Sequence, residues 1–403
     1  MPTGTMLPVA DELCHSRADG RPAGKPSPLV RAVAPEEIAM LRFKPALAAV
    51  ASLAVACLGL AVAAPAAADE EADEITIAFL HINDFHGRIA SAVDASTGRT
   101  TMGFAAPIEW IRDLFEPGEV ILLSAGDNVG ASLFASAIEA DQPTLDVLNT
   151  LGLAASAVGN HEFDRGWADL RDRIAVEADF PYLGANVYAK GTQDPVLPEY
   201  AIVEVSGLRI GVIGAVTQET PTLVSPAGVA DLDFGDPVEA VNRVAEQLAN
   251  ADLADFIVAE YHEGSPIGNE EGATLEDALA ASATFAHLVN DTTPLVKAIF
   301  TGHTHKTCPW MIYMPGTIGD FRPVLQAGAY GAKIGLVSFT LDKATGEIVG
   351  SHVTFASTPA VEIDPDDPDV VTTVPTPEEV AASPTLTAVQ AIVDAAMANA
   401  AAV

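Results

Sequence analysis

Five short polar clusters in this 403-residue chain put carboxylates, imidazoles and amides where apolar runs end. The first is Asn83-Asp84-Phe85-His86-Gly87, preceded by His81. Its Asp-x-His spacing sets a carboxylate and an imidazole on one side of an extended segment, close enough to share a cation. In Ser124-Ala125-Gly126-Asp127-Asn128 an apolar run ends in Gly-Asp, and the two oxygens of Asp127 can bridge two cations. An isolated Asp there is more often a plain turn residue. In Gly159-Asn160-His161-Glu162-Phe163-Asp164 the side-chain carbonyl of Asn160 can reach a metal. His161 is left to face a substrate, and Asp164 is near enough to orient its ring. His262 follows the apolar run 256–259, and standing alone it reads as a structural histidine. His303-Thr304-His305 is the most specific cluster, since two imidazoles one residue apart at a strand end point the same way.

Six of the nine histidines sit in or beside these clusters, while His287 and His352 lie elsewhere and read as surface or packing residues. Mixed nitrogen and oxygen donors without thiolate suit Zn, Mn, Fe or a similar divalent ion. Seven donors (Asp84, His86, Asp127, Asn160, His262, His303 and His305) exceed what one tetrahedral ion takes and suit two ions sharing a carboxylate. Such a pair, about 3.5–4 Å apart, acidifies water and clamps phosphoryl oxygens during in-line attack. No Gly-rich phosphate loop or nucleophile elbow competes with that reading. Of Cys14, Cys57 and Cys308 only the last lies beyond the signal-peptide pattern at 40–68, and one cysteine is too few for a thiolate metal site or a redox pair.

These clusters need strands to carry them. Runs at 75–81, 120–124, 208–213, 256–260, 298–301, 324–327 and 334–341 are rich in Val, Ile, Leu and Phe. Between several of them, 107–115, 144–151, 237–251 and 275–290 repeat apolar residues at helical spacing. Strands alternating with helices predict an α/β domain whose sheets pack under helices. Acidic residues outnumber basic ones by 55 to 20, and the formal charge of −35 disfavours duplex nucleic acid and anionic membranes as partners. The same field repels a phosphate substrate unless cations are bound.

Residues 40–68 begin with a short basic segment, continue through an apolar run and end in Ala-Pro-Ala-Ala-Ala, the pattern of a secretory signal peptide cleaved near Ala68. The organisation expected is therefore an upstream extension at 1–39, the signal peptide, a catalytic domain at 72–357, a Pro/Asp-rich extended linker at 358–385, and the start of a further domain at 386–403.

The order of the clusters resembles the calcineurin-like metallophosphoesterase superfamily, and more narrowly the secreted bacterial 5′-nucleotidase and 2′,3′-cyclic nucleotide phosphodiesterase family, over about residues 74–355. That resemblance implies a layered sandwich of two mixed sheets flanked by helices. It implies that Asp84, His86 and His305 hold one metal, that Asn160, His262 and His303 hold the other, and that Asp127 bridges them. His161, paired with Asp164, would stabilise the phosphoryl group or protonate the leaving oxygen. Asn128 and Asn186 would touch substrate, the latter within a segment at 183–187 that resembles one near the family's pocket. The function expected is hydrolysis of nucleoside 5′-monophosphates or related small phosphoesters, in nucleotide catabolism. The alternatives are a cyclic-nucleotide or nucleotide-sugar diesterase and a non-catalytic exported binding protein. Family members usually continue into a nucleotide-binding domain, and a chain ending at Val403 is expected to act on small phosphoesters with weak nucleotide affinity.

Overall fold

Strands that are apolar along almost their whole length need cover on both faces. The computed structural model provides it with two six-stranded sheets, and describes residues 74–403 apart from 91, 94–99, 102–104, 116–117, 314–320, 358–359 and 362–376. In the first sheet the order is Ile348–Ser357, Lys333–Asp342, Glu74–Ile82, Val120–Ser124, Leu153–Ala157 and Tyr182–Leu183. The last four run parallel, and the first two are antiparallel additions. The second runs Thr307–Tyr313, Phe321–Ala327, Val296–Thr301, Phe256–His262, Leu208–Val216 and Tyr200–Val205, its middle four parallel and its edges antiparallel.

The sheets share a core made by alternate residues. Ile77 and Phe79 of one meet Ile210, Val212, Val258 and Phe300 of the other. The ring of Phe79 lies 6.0 Å from Phe256 and 5.9 Å from Phe300. Burying each such ring contributes about 2–3 kcal/mol. His81 is next in the same alternating row, so it points into this core and not toward the polar clusters. It stacks on Phe300 at 4.9 Å, with Nδ1 3.4 Å from the buried carboxylate of Glu260. Helices Ala105–Arg112, Gln142–Thr150 and Pro384–Ala401 contribute to the apolar layer outside the first sheet. Helices Pro237–Asn250, Leu275–Ala281 and Ala283–Asp291 do so outside the second. The result is the layered α/β sandwich of two mixed sheets flanked by helices.

Helix Pro237–Asn250 shows why local sequence suffices for some elements. Val238, Val241, Val244, Ala245 and Leu248 form its buried stripe. Pro237 opens the first turn, and the Asp236 carboxylate accepts from the N–H groups of Val238 and Glu239 at 2.8 and 2.9 Å. Asp236→Ala is expected to destabilise the protein by about 1 kcal/mol. A urea midpoint indistinguishable from the parent would show the cap to be idle.

The single helix expected at 275–290 is two. Ser282 is extended, and its hydroxyl accepts from Phe285 N–H at 3.1 Å, so a serine cap starts a second helix within the apolar pattern. The stretch expected as an extended linker also differs in its described part, where Pro377–Ala382 is helical. Proline at the first turn and alanines behind it favour that outcome. Helix Pro384–Ala401 buries Leu386, Val389 and Ala396 in the first outer core, and its Asn399 donates to Glu139 at 3.0 Å. This segment therefore covers the sandwich instead of standing apart from it. The upstream extension, the signal peptide and the Pro/Asp-rich stretch at 362–376 lie outside the described residues.

Candidate metal centre

The polar clusters gather where parallel strands of both sheets end. Asp84 and His86 follow Glu74–Ile82, Asp127 follows Val120–Ser124, and Asn160 and His161 follow Leu153–Ala157. From the second sheet come His262, the last residue of its strand, and His303 and His305 after Val296–Thr301. Five of these residues have positive φ: Asp84 at 50°, His86 at 49°, Asp127 at 54°, His303 at 72° and His305 at 59°. Non-glycine residues seldom adopt that conformation, and its repetition at one place marks strain held for a purpose.

Among the described residues, three groups bring ligand atoms within 4.8 Å of one another: Asp84, His86 and His305; Asp127, His262 and His303; and His86, Asp127 and His161. His305 Nε2 lies 3.2 Å from Asp84 Oδ1. His262 Nε2 lies 3.1 Å from Asp127 Oδ2 and 3.1 Å from Asn160 Oδ1, and His86 Nε2 is 3.8 Å from Asp127 Oδ2. The structure thus brings together all seven residues expected as ligands. The third group adds a point the sequence reading lacked, since His161 is also within reach of a cation near Asp127.

Three of the inward-facing side chains, His86, His262 and Asp84, have hydrogen-bonded support behind them. His86 Nδ1 faces the Gly130 carbonyl at 2.8 Å and His262 Nδ1 faces that of Ala125 at 2.7 Å, which turns both Nε2 atoms toward the cluster. Asn83, which the sequence reading passed over, donates to Asp84 Oδ2 at 2.7 Å and to the Gly328 carbonyl at 2.6 Å, while accepting from Ala327 N–H at 2.8 Å. It ties the end of a first-sheet strand to the end of a second-sheet strand and fixes the Asp84 carboxylate. The ring of Tyr330, half exposed, closes one side at 5.2 Å from His305 and 5.8 Å from His86.

In the metal-free protein Asp127 and His262 form a buried ion pair. Burial lowers His262, but the Asp127 carboxylate outweighs it and raises the imidazole to about 10, a proton that a cation would have to displace. Burial opposes charge on Asp127, but the adjacent His262 imidazole outweighs it and holds the carboxyl well below the usual range, so Asp127 is ionised. Burial lowers His86, and burial with the neighbouring His262 lowers His303, which keeps both rings in the neutral form that a metal accepts. His161 behaves differently. Its Nδ1 meets Asp164 Oδ2 at 2.9 Å, and that hydrogen bond outweighs partial burial to raise the imidazole to about 9.

Asn128 and Asn186 do not fit the substrate contacts expected of them. Asn128 is fully buried, its amide donating to Ser156 Oγ at 2.8 Å and accepting from Ser124 Oγ at 2.7 Å. Asn186, equally buried, donates to the carbonyls of Val216 and Gly235 and accepts from Val216 N–H at 2.9 Å. With both ends of each amide committed to the protein, neither has a face to offer a ligand.

The pattern of the calcineurin-like phosphoesterase family matches residues 77–307. The chain is 29% identical over 317 residues to endonuclease YhcR of Bacillus subtilis, covering 73% of this chain and 24% of that protein. It is 30% identical over 331 residues to cell wall protein Lmo0130 of Listeria monocytogenes, covering 74% of this chain and 41% of that protein. It is also 32% identical over 223 residues to a 5′-nucleotidase of Vibrio cholerae, covering 54% of this chain and 39% of that protein. The chain spans less than half the length of each. Among solved structures, a 5′-nucleotidase precursor from Thermus thermophilus aligns with a TM-score of 0.58 at 24% identity, over 80% of this chain and 59% of that one.

Proposed function

The chain belongs to the calcineurin-like phosphoesterase family, and we propose that within it this protein is an exported hydrolase of small phosphoesters, nucleoside 5′-monophosphates among them, working with two divalent cations. One observation carries the reading: the donor groups overlap, with His86 and Asp127 each belonging to two of them. Overlap of that kind suits a pair of neighbouring ions better than a single one, and nitrogen with carboxylate oxygen suits Zn, Mn or Fe. Asp84, His86 and His305 would hold one ion and Asn160, His262 and His303 the other, with Asp127 between them. When bound, such a pair supplies positive charge to the phosphoryl oxygens and acidifies water.

The chain's own part is placement and proton transfer. His86 and His262, turned inward by the carbonyls behind them, would set where the two cations sit. His161 lies at the open side of the cluster, about one third exposed, with Asp164 holding its Nδ1. Its imidazolium can donate from Nε2 to a leaving oxygen or to the charge that develops on the phosphoryl group. The Lmo0130 relative, named as a cell wall protein, supports export, as does the signal-peptide pattern ending at Ala68.

A second reading has an observation of its own in the YhcR relative, named as an endonuclease, whose substrate bond is a diester. The formal charge of −35 argues against a polymer, so this reading narrows to small or cyclic diesters. The two separate in one assay. Purified chain, stripped of metal and resupplied with Mn or Zn, is offered p-nitrophenyl phosphate, AMP, bis-p-nitrophenyl phosphate and 2′,3′-cyclic AMP. Metal-dependent turnover favouring the monoesters supports the first reading, and preference for the diesters supports the second. Folded protein that turns over none of them with either metal would defeat both.

A further inference from the structure

Glu162 follows His161 directly and precedes Asp164 by two residues, yet its side chain is fully buried. Its carboxylate sits among backbone amides of two separate loops. Oε2 accepts from the N–H groups of Asp127 at 2.9 Å and Gly159 at 2.6 Å. Oε1 accepts from Asn128 at 2.8 Å and Val129 at 3.4 Å. Four amides converging on one acid form the type of concavity that usually captures an external anion, here filled by a side chain of the protein itself. The loops it joins are those carrying the shared carboxylate Asp127 and the amide Asn160, and they meet backbone against backbone. A Cβ on Gly126 would come within 2.5 Å of the Gly159 nitrogen, and one on Gly159 within 2.1 Å of Asp127 Oδ1. His161 N–H completes the join by donating to Asp127 Oδ1 at 2.8 Å.

From this geometry we infer that Glu162 is a positioning residue, which fastens the Asp127 loop to the Asn160–His161 loop and so sets the spacing of the donors on which the two-cation reading rests. Hydrogen bonds alone would make it a stabiliser of the fold. The distinction lies in where they act. Three of the four amides belong to Asp127 itself or to Asn128 and Gly159, which adjoin Asp127 and Asn160. Only the longest bond, from Val129, goes to a residue of the apolar core. A one-atom error in either loop would separate Asp127 from His262, now 3.1 Å apart, or Asn160 from His262, at the same distance.

The test compares Glu162→Gln and Glu162→Asp with the parent, using Mn2+ affinity of the full chain by calorimetry as the main readout and kcat and KM for p-nitrophenyl phosphate as the second. Val241→Ala, a cavity in the other outer core, serves as a control that destabilises without touching the loops. Glu162→Gln cannot accept from both pairs of amides. Glu162→Asp keeps the charge but is one methylene too short to reach both loops. Positioning predicts that both variants bind Mn2+ about 10–100-fold more weakly and lose kcat more than KM, while Val241→Ala binds as the parent does. If Glu162→Asp binds like the parent and only Glu162→Gln is weakened, the residue acts through charge and the inference is wrong. It is equally wrong if both bind normally, or if neither variant folds, since the role would then belong to the fold. A parent that binds no Mn2+ would instead bring down the metal reading itself, which keeps the two failures apart.

Discussion

Asp127→Asn is expected to lower kcat/KM for phosphoester hydrolysis by more than about 10³-fold, since removing a single oriented electrostatic group from an active site already costs about 10²–10³. Asp127 is the hub of the cluster. Its Oδ2 faces His262 at 3.1 Å and His86 at 3.8 Å, while Oδ1 accepts the N–H of His161 at 2.8 Å. Asparagine keeps the shape but offers one oxygen and one NH2. With the oxygen toward the cluster, the NH2 meets the His161 amide donor; turned over, it faces the cation positions. Either orientation removes charge where two positive ions would share it. Near-UV circular dichroism alongside the kinetics separates lost chemistry from lost folding. A folded Asp127→Asn protein within tenfold of parent activity would show that this carboxylate is not shared by the cations.

The second large effect falls on His161. His161→Ala is expected to reduce kcat by about 10²–10⁴ with KM changed only a few-fold, the signature of a group that acts on a proton in the transition state. The same variant settles the role of the third donor group, which includes His161. If it is a proton donor, Mn2+ stoichiometry stays as in the parent; if it is a ligand, an ion is lost. The direction of its pKa supplies a further check in the metal-free protein. The hydrogen bond that His161 donates to Asp164 holds the ring at about 9, so it is protonated below that pH and loses its proton as pH rises through it. Asp164→Asn should move the titration, followed by the ring proton resonances, down toward the ordinary value near 6.5. The raised value stabilises the fold below the unfolded pKa, and that contribution fades as pH climbs toward 9. An unchanged titration in Asp164→Asn would assign the shift to something other than this pair.

How much of this was legible from residues alone depends on how local the determining physics is. Val120–Ser124 and Pro237–Asn250 stand out because an unbroken apolar run and a capped amphipathic repeat are each sufficient signals. Leu153–Ala157 is hidden, since Leu-Ala-Ala-Ser-Ala has none of the β-branched bulk that marks a strand and is held in place only by parallel neighbours on both sides. Thr307–Tyr313 is hidden for another reason: Pro309 speaks against a strand unless it lies on an edge, which is where the sheet order puts it. Asp84, His86, Asp127, His262, His303 and His305 are readable as a set because polar residues at the ends of apolar strands converge in any sheet of this kind. Asn160 follows the hidden strand Leu153–Ala157 and is legible only from its Asn-His cluster and the family resemblance.

What spacing could not reveal is the direction of individual side chains. His81 shares its cluster with Asp84, yet strand alternation sends it between the sheets to Glu260. Asn128 follows Asp127 directly, but Ser124 and Ser156 claim its amide. Glu162 and Asn83 depend on partners distant in the chain: Glu162 binds the amides of Asp127 and Asn128, and Asn83 binds Gly328 and Ala327. Supports of that type require the tertiary structure before they can be seen at all.

The most direct test of the account is a count of cations. Metal-free chain titrated with Mn2+ by calorimetry should bind two ions per folded molecule, and Asp127→Asn should reduce that number or weaken both sites together. One ion at saturation in the parent, or two that Asp127→Asn leaves untouched, would contradict a paired centre built around Asp127.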